Sequence, residues 1–316
     1  MKKLAFNVLD LILIIFLVSS SPALKVFCRI GGRRLPMSRQ LLKRLGIYPI
    51  RDHYYQPLFN DDKLQHSLRK CRALPGINWN RESQISLLRE LKYGRELTNL
   101  NLKAAKSVYS EFALGNGSFE SGDAEFLYQI IRHFKPKRII EIGSGFSTKI
   151  AKHALDMNYY ENSFKTLHIC IEPYEHPLLE SLGVDILRKP VEDCDLSIFD
   201  QLEKGDILFI DSSHIIRPQG DVLTEYLQII PRLKTGVIVH IHDIFSPRDY
   251  LDEWIRDDVY FWNEQYILEA LLTNTERYQI VAALNYLKHE YYDLLSSVCP
   301  YLTSDREPGS FYFRIT

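Results

Sequence analysis

The sequence predicts an α/β fold organised around a doubly wound parallel sheet, and two observations carry that expectation. Five short apolar runs lie between residues 137 and 241, with helix-length segments between them. The first run, Ile139-Ile140-Glu141-Ile142, flows directly into the glycine turn Gly143-Ser144-Gly145. At 316 residues, 46% of them hydrophobic, the chain is long and apolar enough to bury a sizeable core.

Residues 137–142 form the first predicted strand. The two glycines that follow let the backbone turn tightly and approach a ligand, and Ser147 and Thr148 are placed to cap the next helix, whose free N–H groups face that ligand. The turn is therefore a cradle for a nucleotide-bearing cofactor. A dinucleotide fingerprint would want a third glycine where Thr148 stands and would not place a carboxylate at Glu141, which favours a different cofactor. The second strand, Leu167–Ile171, ends in Glu172, an acid placed to accept hydrogen bonds from ribose hydroxyls. Residues 184–187 make a third strand, followed by Glu192 and Asp193; residues 206–210 and 236–241 supply the fourth and fifth. Two late strands, 279–284 and 310–315, come without a full crossover helix cycle between strand and strand. Ahead of the first strand, Ser121-Gly122-Asp123 opens a helix in which Asp123 is a first-turn acid favoured by the helix dipole.

The rest of the chain bounds its class. A formal net charge of −1 argues against a nucleic-acid partner, since no domain-wide basic surplus is present. Cys28, Cys71, Cys170, Cys194 and Cys299 lack metal-ligand spacing and cannot all pair, which fits a reducing compartment. Residues 4–24 are apolar apart from Asn7, Asp10 and Ser19–Ser21, long enough as a helix to span a bilayer core of roughly 30 Å. Lys25, Arg29, Arg33, Arg34, Arg39, Lys43 and Arg44 follow it, against Lys2 and Lys3 before it, so the charge asymmetry keeps the main domain on the cytoplasmic face of the membrane. A membrane anchor or interfacial helix is the leading reading of residues 1–30; a cleaved signal peptide and an ordinary buried helix are the others. Residues 31–114 are expected as a polar, helix-rich cap or linker. Tyr48–Pro57 interrupts it between two prolines, as a surface loop or the lining of a substrate pocket, and 81–102 reads as one helical stretch whose charges form a solvated face.

The acid-x-Gly-x-Gly pattern of Glu141, Gly143 and Gly145 resembles the first motif of class I S-adenosylmethionine-dependent methyltransferases. The segments Phe209-Ile210-Asp211-Ser212-Ser213-His214 and His240-Ile241-His242-Asp243-Ile244-Phe245 look like the bacterial group known as methyltransferase domain family 24. The resemblance covers about residues 115–316. It implies a Rossmann-like, doubly wound seven-stranded sheet with a terminal antiparallel strand, preceded here by an N-terminal helical extension. It also implies S-adenosylmethionine as donor, held by Glu141, Gly143, Ser144, Gly145, Glu172, Asp193 and Asp211, with Asp123 a further candidate near the donor's amino-acid end. The acceptor would be a hydroxyl on a small molecule, a glycan, a lipid-linked intermediate or a secondary metabolite.

Chemistry is expected where Asp211 and Asp243 meet, since each follows the end of a strand and neighbouring strands lie about 4.8 Å apart. In the catechol-type and macrolide-sugar methyltransferases that this arrangement resembles, acids at these strand ends hold magnesium. Here His242 stands where a second acid would be, so the expected metal set is Asp211, Asp243 and His242, for magnesium or a transition metal. His242 or His214 is then the candidate general base, acting with Asp211. Without a metal, the two aspartates would only shape hydrogen bonds to cofactor and acceptor. His240 reads as a core or supporting residue. Asp249, Glu253, Trp254, Trp262, Asn263 and Glu264 follow the fifth strand as an acceptor-covering segment. Two other classes are weighed against this: a non-catalytic membrane-associated binding module, and a nicotinamide-dependent oxidoreductase.

Overall fold

The computed structural model describes residues 2–100, 102, 112–175 and 177–316. Along the chain these form α1 (Lys2–Ile30), α2 (Pro36–Arg44), α3 (Arg81–Glu90), α4 (Gly94–Asn99), α5 (Asp123–Phe134), β1 (Arg138–Ile142), α6 (Phe146–Asn162), β2 (Leu167–Ile171), α7 (Pro177–Glu180) and β3 (Asp185–Leu187). There follow β4 (Ile207–Ile210), α8 (Asp221–Thr224), β5 (Ile238–Ile241), α9 (Asp252–Arg256), α10 (Glu264–Leu272), β6 (Tyr278–Ala283), α11 (Leu284–Glu290), α12 (Tyr292–Val298) and β7 (Phe311–Ile315). The chain divides into two compact units, Met1–Gln65 and His66–Thr316.

The second unit is built on one seven-stranded sheet in the order β3-β2-β1-β4-β5-β7-β6. Strands β1 to β5 pair in parallel, and β7 runs antiparallel to both β5 and β6. All seven strands fall where the apolar runs predicted them. Because side chains alternate across a strand, Ile207 and Phe209 of β4 enter the core beneath α5 and α6, whereas Leu208 and Ile210 enter the core of the other face. Burial on both faces is why these runs are continuously apolar instead of alternating. The late strands are joined by α11 and α12, and β7 inserts between β5 and β6.

Two expectations for the region before the sheet need correction. The stretch 81–102 is two helices: Leu91 turns extended after α3, and α4 restarts at Gly94. Its charges are also not all solvated. Glu96 accepts from Arg132 Nε at 2.9 Å and Nη2 at 3.0 Å, and the Arg132 side chain is fully buried. A buried guanidinium demands such a partner, and the demand comes from a helix 36 residues away. Residues 101 and 103–111 lie outside the described residues. Tyr48–Pro57 carries no helix, as its prolines require.

Helix α1 is long and apolar enough to cross a membrane, and none of its described residues is buried. The hydroxyls of Ser19, Ser20 and Ser21 donate to the carbonyls of Ile15, Leu17 and Val18, so these polar side chains are satisfied within the helix.

Candidate functional site

The glycine turn is fixed by one close approach. Gly143 has φ +76°, and a Cβ added to it would lie 1.8 Å from the carbonyl oxygen of Asp211, so only glycine fits. Over Gly145, in contrast, an added Cβ would meet nothing within 4 Å, leaving its backbone open to a ligand. Thr148 Oγ1 accepts from Gly145 N–H at 3.1 Å and donates to Glu141 at 2.5 Å, which bears out the capping role of Thr148. Glu141 is buried beneath the turn, with Cys170 Sγ and His168 Nε2 each 3.5 Å from its carboxylate. It braces the turn from inside. Glu172 follows β2 and accepts from Ser144 N–H at 3.4 Å and Tyr174 N–H at 2.9 Å, while Asp193 lies exposed on the short helical turn Val191–Asp193 after β3.

The ends of β4 and β5 bring four groups together. His214 Nε2 lies 3.4 Å from Asp211 and 3.5 Å from Asp243; His242 Nδ1 lies 3.4 Å from Asp211 and 3.5 Å from Asp243. Asp211, His214 and Asp243 each offer a ligand atom within 4.8 Å of the others, so this grouping takes His214 in the place where the sequence expected His242. His214 (φ 60°) and Asp243 (φ 58°) are non-glycine residues in the left-handed region, a conformation that costs about 1–3 kcal/mol and persists only where the surroundings impose it. For Asp243 those surroundings are the chain before β7: Gly309 passes so close that its Cβ would sit 3.1 Å from Asp243 Cα, and Ile244 N–H donates to Gly309 at 2.7 Å. For His214 they are the chain entering α10, since its carbonyl accepts from the N–H groups of Asn263 and Glu264.

Burial disfavours charge on both imidazoles, but the facing carboxylates outweigh it and raise the pKa of His214 and of His242 well above the usual value. Burial pushes the Asp243 carboxyl up to about 6 against the pull of His242 and His214. For Asp211 the same two imidazoles overcome burial and hold the carboxyl far below the usual carboxylate range. His242 Nδ1 is buried with no hydrogen-bond partner.

Several residues here do more than the sequence assigned them. Glu264, expected in an acceptor-covering segment, is buried and lies 2.7 Å from His214 Nδ1, with Tyr226 donating to its other oxygen at 3.1 Å. Asp123 accepts from the N–H groups of Gly309 and Ser310 and lies 3.9 Å from His242 Nε2. Asp221 accepts from Ser213 N–H and Oγ, and Glu225 accepts from Ser212 on a π-helical turn, Glu225–Ile229. The only signal for that support was two acids four residues apart on the helix after β4. His240 is a core residue as expected, 2.9 Å from Ser310 Oγ and stacked on Tyr312.

A parallel five-strand core with an inserted antiparallel β7, a glycine turn after β1 and acids closing β2, β4 and β5 defines a Rossmann-like methyltransferase fold. The chain belongs to the class I S-adenosylmethionine-dependent methyltransferases. A family model described as a methyltransferase domain matches residues 140–244, the stretch from the glycine turn through Asp243. An uncharacterised protein of Archaeoglobus fulgidus is 30% identical over 166 residues, which is 49% of this chain and 74% of that one. Among solved structures, a TDP-rhamnose 3′-O-methyltransferase of calicheamicin biosynthesis is 13% identical, covering 74% of this chain and 93% of its own, with a TM-score of 0.42. An O-methyltransferase from Bacillus cereus in complex with SAH is also 13% identical, covering 73% and 91%, with a TM-score of 0.37.

Proposed function

We propose that this protein transfers the methyl group of S-adenosylmethionine to a hydroxyl of a small-molecule, glycan or lipid-linked acceptor, at the cytoplasmic face of a membrane that α1 spans. The observation that carries the reading is the convergence of Asp211, His214, His242 and Asp243 beside the donor turn at separations of 3.4–3.5 Å. Charge-assisted N–H···O bonds close to about 2.7–2.9 Å, as His214 and Glu264 do. Four groups that face one another at greater distance suit a shared ligand.

The donor set fits a divalent cation. Two carboxylates and an imidazole have ligand atoms within 4.8 Å of one another, and the second nitrogen of His214 is held by a carboxylate, as in metal-ligating histidines generally. Nitrogen in the set favours a transition ion over magnesium. Such an ion would orient the acceptor hydroxyl and lower its pKa.

The chain's residues supply the rest. The backbone of Gly143, Ser144 and Gly145 cradles the donor, Glu172 takes the ribose hydroxyls and Asp193 lies toward the adenine. Glu141 keeps the turn in shape through Thr148. The methyl passes from sulfonium sulfur to oxygen and the acceptor's proton passes to Nδ1 of neutral His242, giving the methyl ether and the demethylated donor; Asp211 and Asp243 otherwise hold that imidazole protonated, and a cation on the two carboxylates would free it for this role. The Tyr260–Trp262 stack, with Trp262 4.4 Å from the His214 ring, walls the acceptor side. The nicotinamide alternative loses ground because Thr148, at the third-glycine position, is engaged by Glu141. Calorimetric titration of the metal-loaded full chain in detergent tests the donor. S-adenosylmethionine and S-adenosylhomocysteine should bind and NAD should not; binding of NAD alone would overturn the reading.

A further inference from the structure

Helix α2 lies five residues beyond α1 and is amphipathic with no buried residue. At about 100° per residue, Met37, Leu41, Leu42 and the C-capping Leu45 fall within one arc of about 140°, interrupted only by the small Ser38, with Arg39 and Lys43 beyond one margin and Arg44 at the other. Met37, Leu41 and Leu45 are 85%, 58% and 61% exposed. Between Asp10 and Asp52 the chain carries no acidic residue, and among the described residues Arg33, Arg34, Arg39, Lys43 and Arg44 have no ion-pair partner. An apolar stripe flanked by uncompensated cations is the pattern of a helix lying in a membrane interface.

We infer that α2 docks on the anionic lipid headgroups of the leaflet from which α1 emerges, with Met37, Leu41 and Leu45 in the acyl boundary and Arg39, Lys43 and Arg44 at the phosphates. A lipid surface is favoured over a protein partner by continuity. Five extended residues reach at most about 18 Å, so a spanning α1 delivers α2 to the headgroup layer without further search. The inference rests on reading α1 as a span.

The test is the pair of variants Leu41→Trp and, as a control on the polar face, Gln40→Trp, each in the full chain. Each chain is mixed with dibrominated phosphatidylcholine vesicles, with or without phosphatidylglycerol, and emission is corrected for wild type, whose Trp79, Trp254 and Trp262 give the background. Leu41→Trp should be quenched on anionic vesicles and Gln40→Trp should not. Met37→Trp should repeat the first result. Each of Arg39→Gln, Lys43→Gln and Arg44→Gln should lower the bound-to-free ratio about fivefold, and high salt should mimic them. Co-sedimentation in high salt reports α1 separately. A Leu41→Trp chain that sediments without being quenched overturns the α2 inference alone, and an acidic protein partner would then be the occupant to seek. A chain that neither sediments nor quenches overturns both. A chain that is quenched on anionic vesicles but sediments only with phosphatidylglycerol at low salt sustains α2 and removes the span.

Discussion

At the ends of β1 and β2 the carboxylates are paired within the chain, whereas at the ends of β4 and β5 four ionisable groups face one another without closing. Glu141 accepts from Thr148 and Cys170, and Glu172 from two backbone N–H groups. The half proposed for the donor also takes its left-handed turn at a glycine, whereas the half proposed for the acceptor forces His214 and Asp243 into that conformation. One half is finished by the chain alone. The other is held in a costly arrangement by Gly309, Glu264, Asp221 and Glu225, which is what a site preorganised for an outside group requires.

The two halves meet where Gly143 packs on the Asp211 carbonyl and Ile142 accepts from Asp211 N–H at 2.8 Å. Gly143→Ala should therefore break both at once. A Cβ 1.8 Å from a backbone oxygen cannot be accommodated without moving β1 against β4, and we expect a loss of about 3 kcal/mol or more, read as a large fall in Tm, together with loss of donor binding. Gly145→Ala sharpens the contrast: with nothing within 4 Å of the new methyl, Tm should hold while affinity for S-adenosylhomocysteine falls. Normal affinity in Gly145→Ala would show that the donor does not approach that turn.

Asp211→Asn separates the halves. It removes a charge from the open cluster but leaves the donor cradle, so methyl transfer should be lost while S-adenosylhomocysteine still binds. Chelation should do the same to wild type, and added manganese should restore it. A transfer rate indifferent to chelator would mean that the cluster works without a metal. In that case His242→Ala alone should lower the rate by roughly 100- to 10,000-fold.

Sequence made the donor half readable because its parts are contiguous: an apolar strand, two glycines and a hydroxyl cap all lie within residues 137–148. The strands were equally plain, since burial on both faces leaves an uninterrupted apolar run. The acceptor half was readable only in its strand-end residues, Asp211, His214, His242 and Asp243. Asp221 and Glu225 lie only 8 and 13 residues from the serines they hold, but the other supports come from far along the chain. Glu264 is 50 residues from His214, and Gly309 and Ser310 are 186 and 187 residues from Asp123, so no local period announces these pairings. The break between α3 and α4 was hidden for the same reason, because the group that takes up the Tyr93 N–H there is Gln129 on another helix.

The smallest expected effect tests whether the donor half is as complete as it looks. Glu172 is half-buried and gives one carboxylate oxygen to Ser144 N–H and the other to Tyr174 N–H. A carboxylate has about four lone-pair sites, so two backbone contacts leave capacity for two ribose hydroxyls. Glu172→Ala returns those N–H groups to water at an exposed loop, and stability read from Tm should change by less than about 1 kcal/mol. Each lost charge-assisted bond to ribose contributes about 1.5–3 kcal/mol, so affinity for S-adenosylhomocysteine should fall at least about tenfold in calorimetry. Glu172→Gln keeps one acceptor and should fall in between. If both variants bind like wild type, Glu172 is a brace for Ser144 and Tyr174 and the ribose lies elsewhere; the donor half would then be closed at its edge as well as beneath its turn.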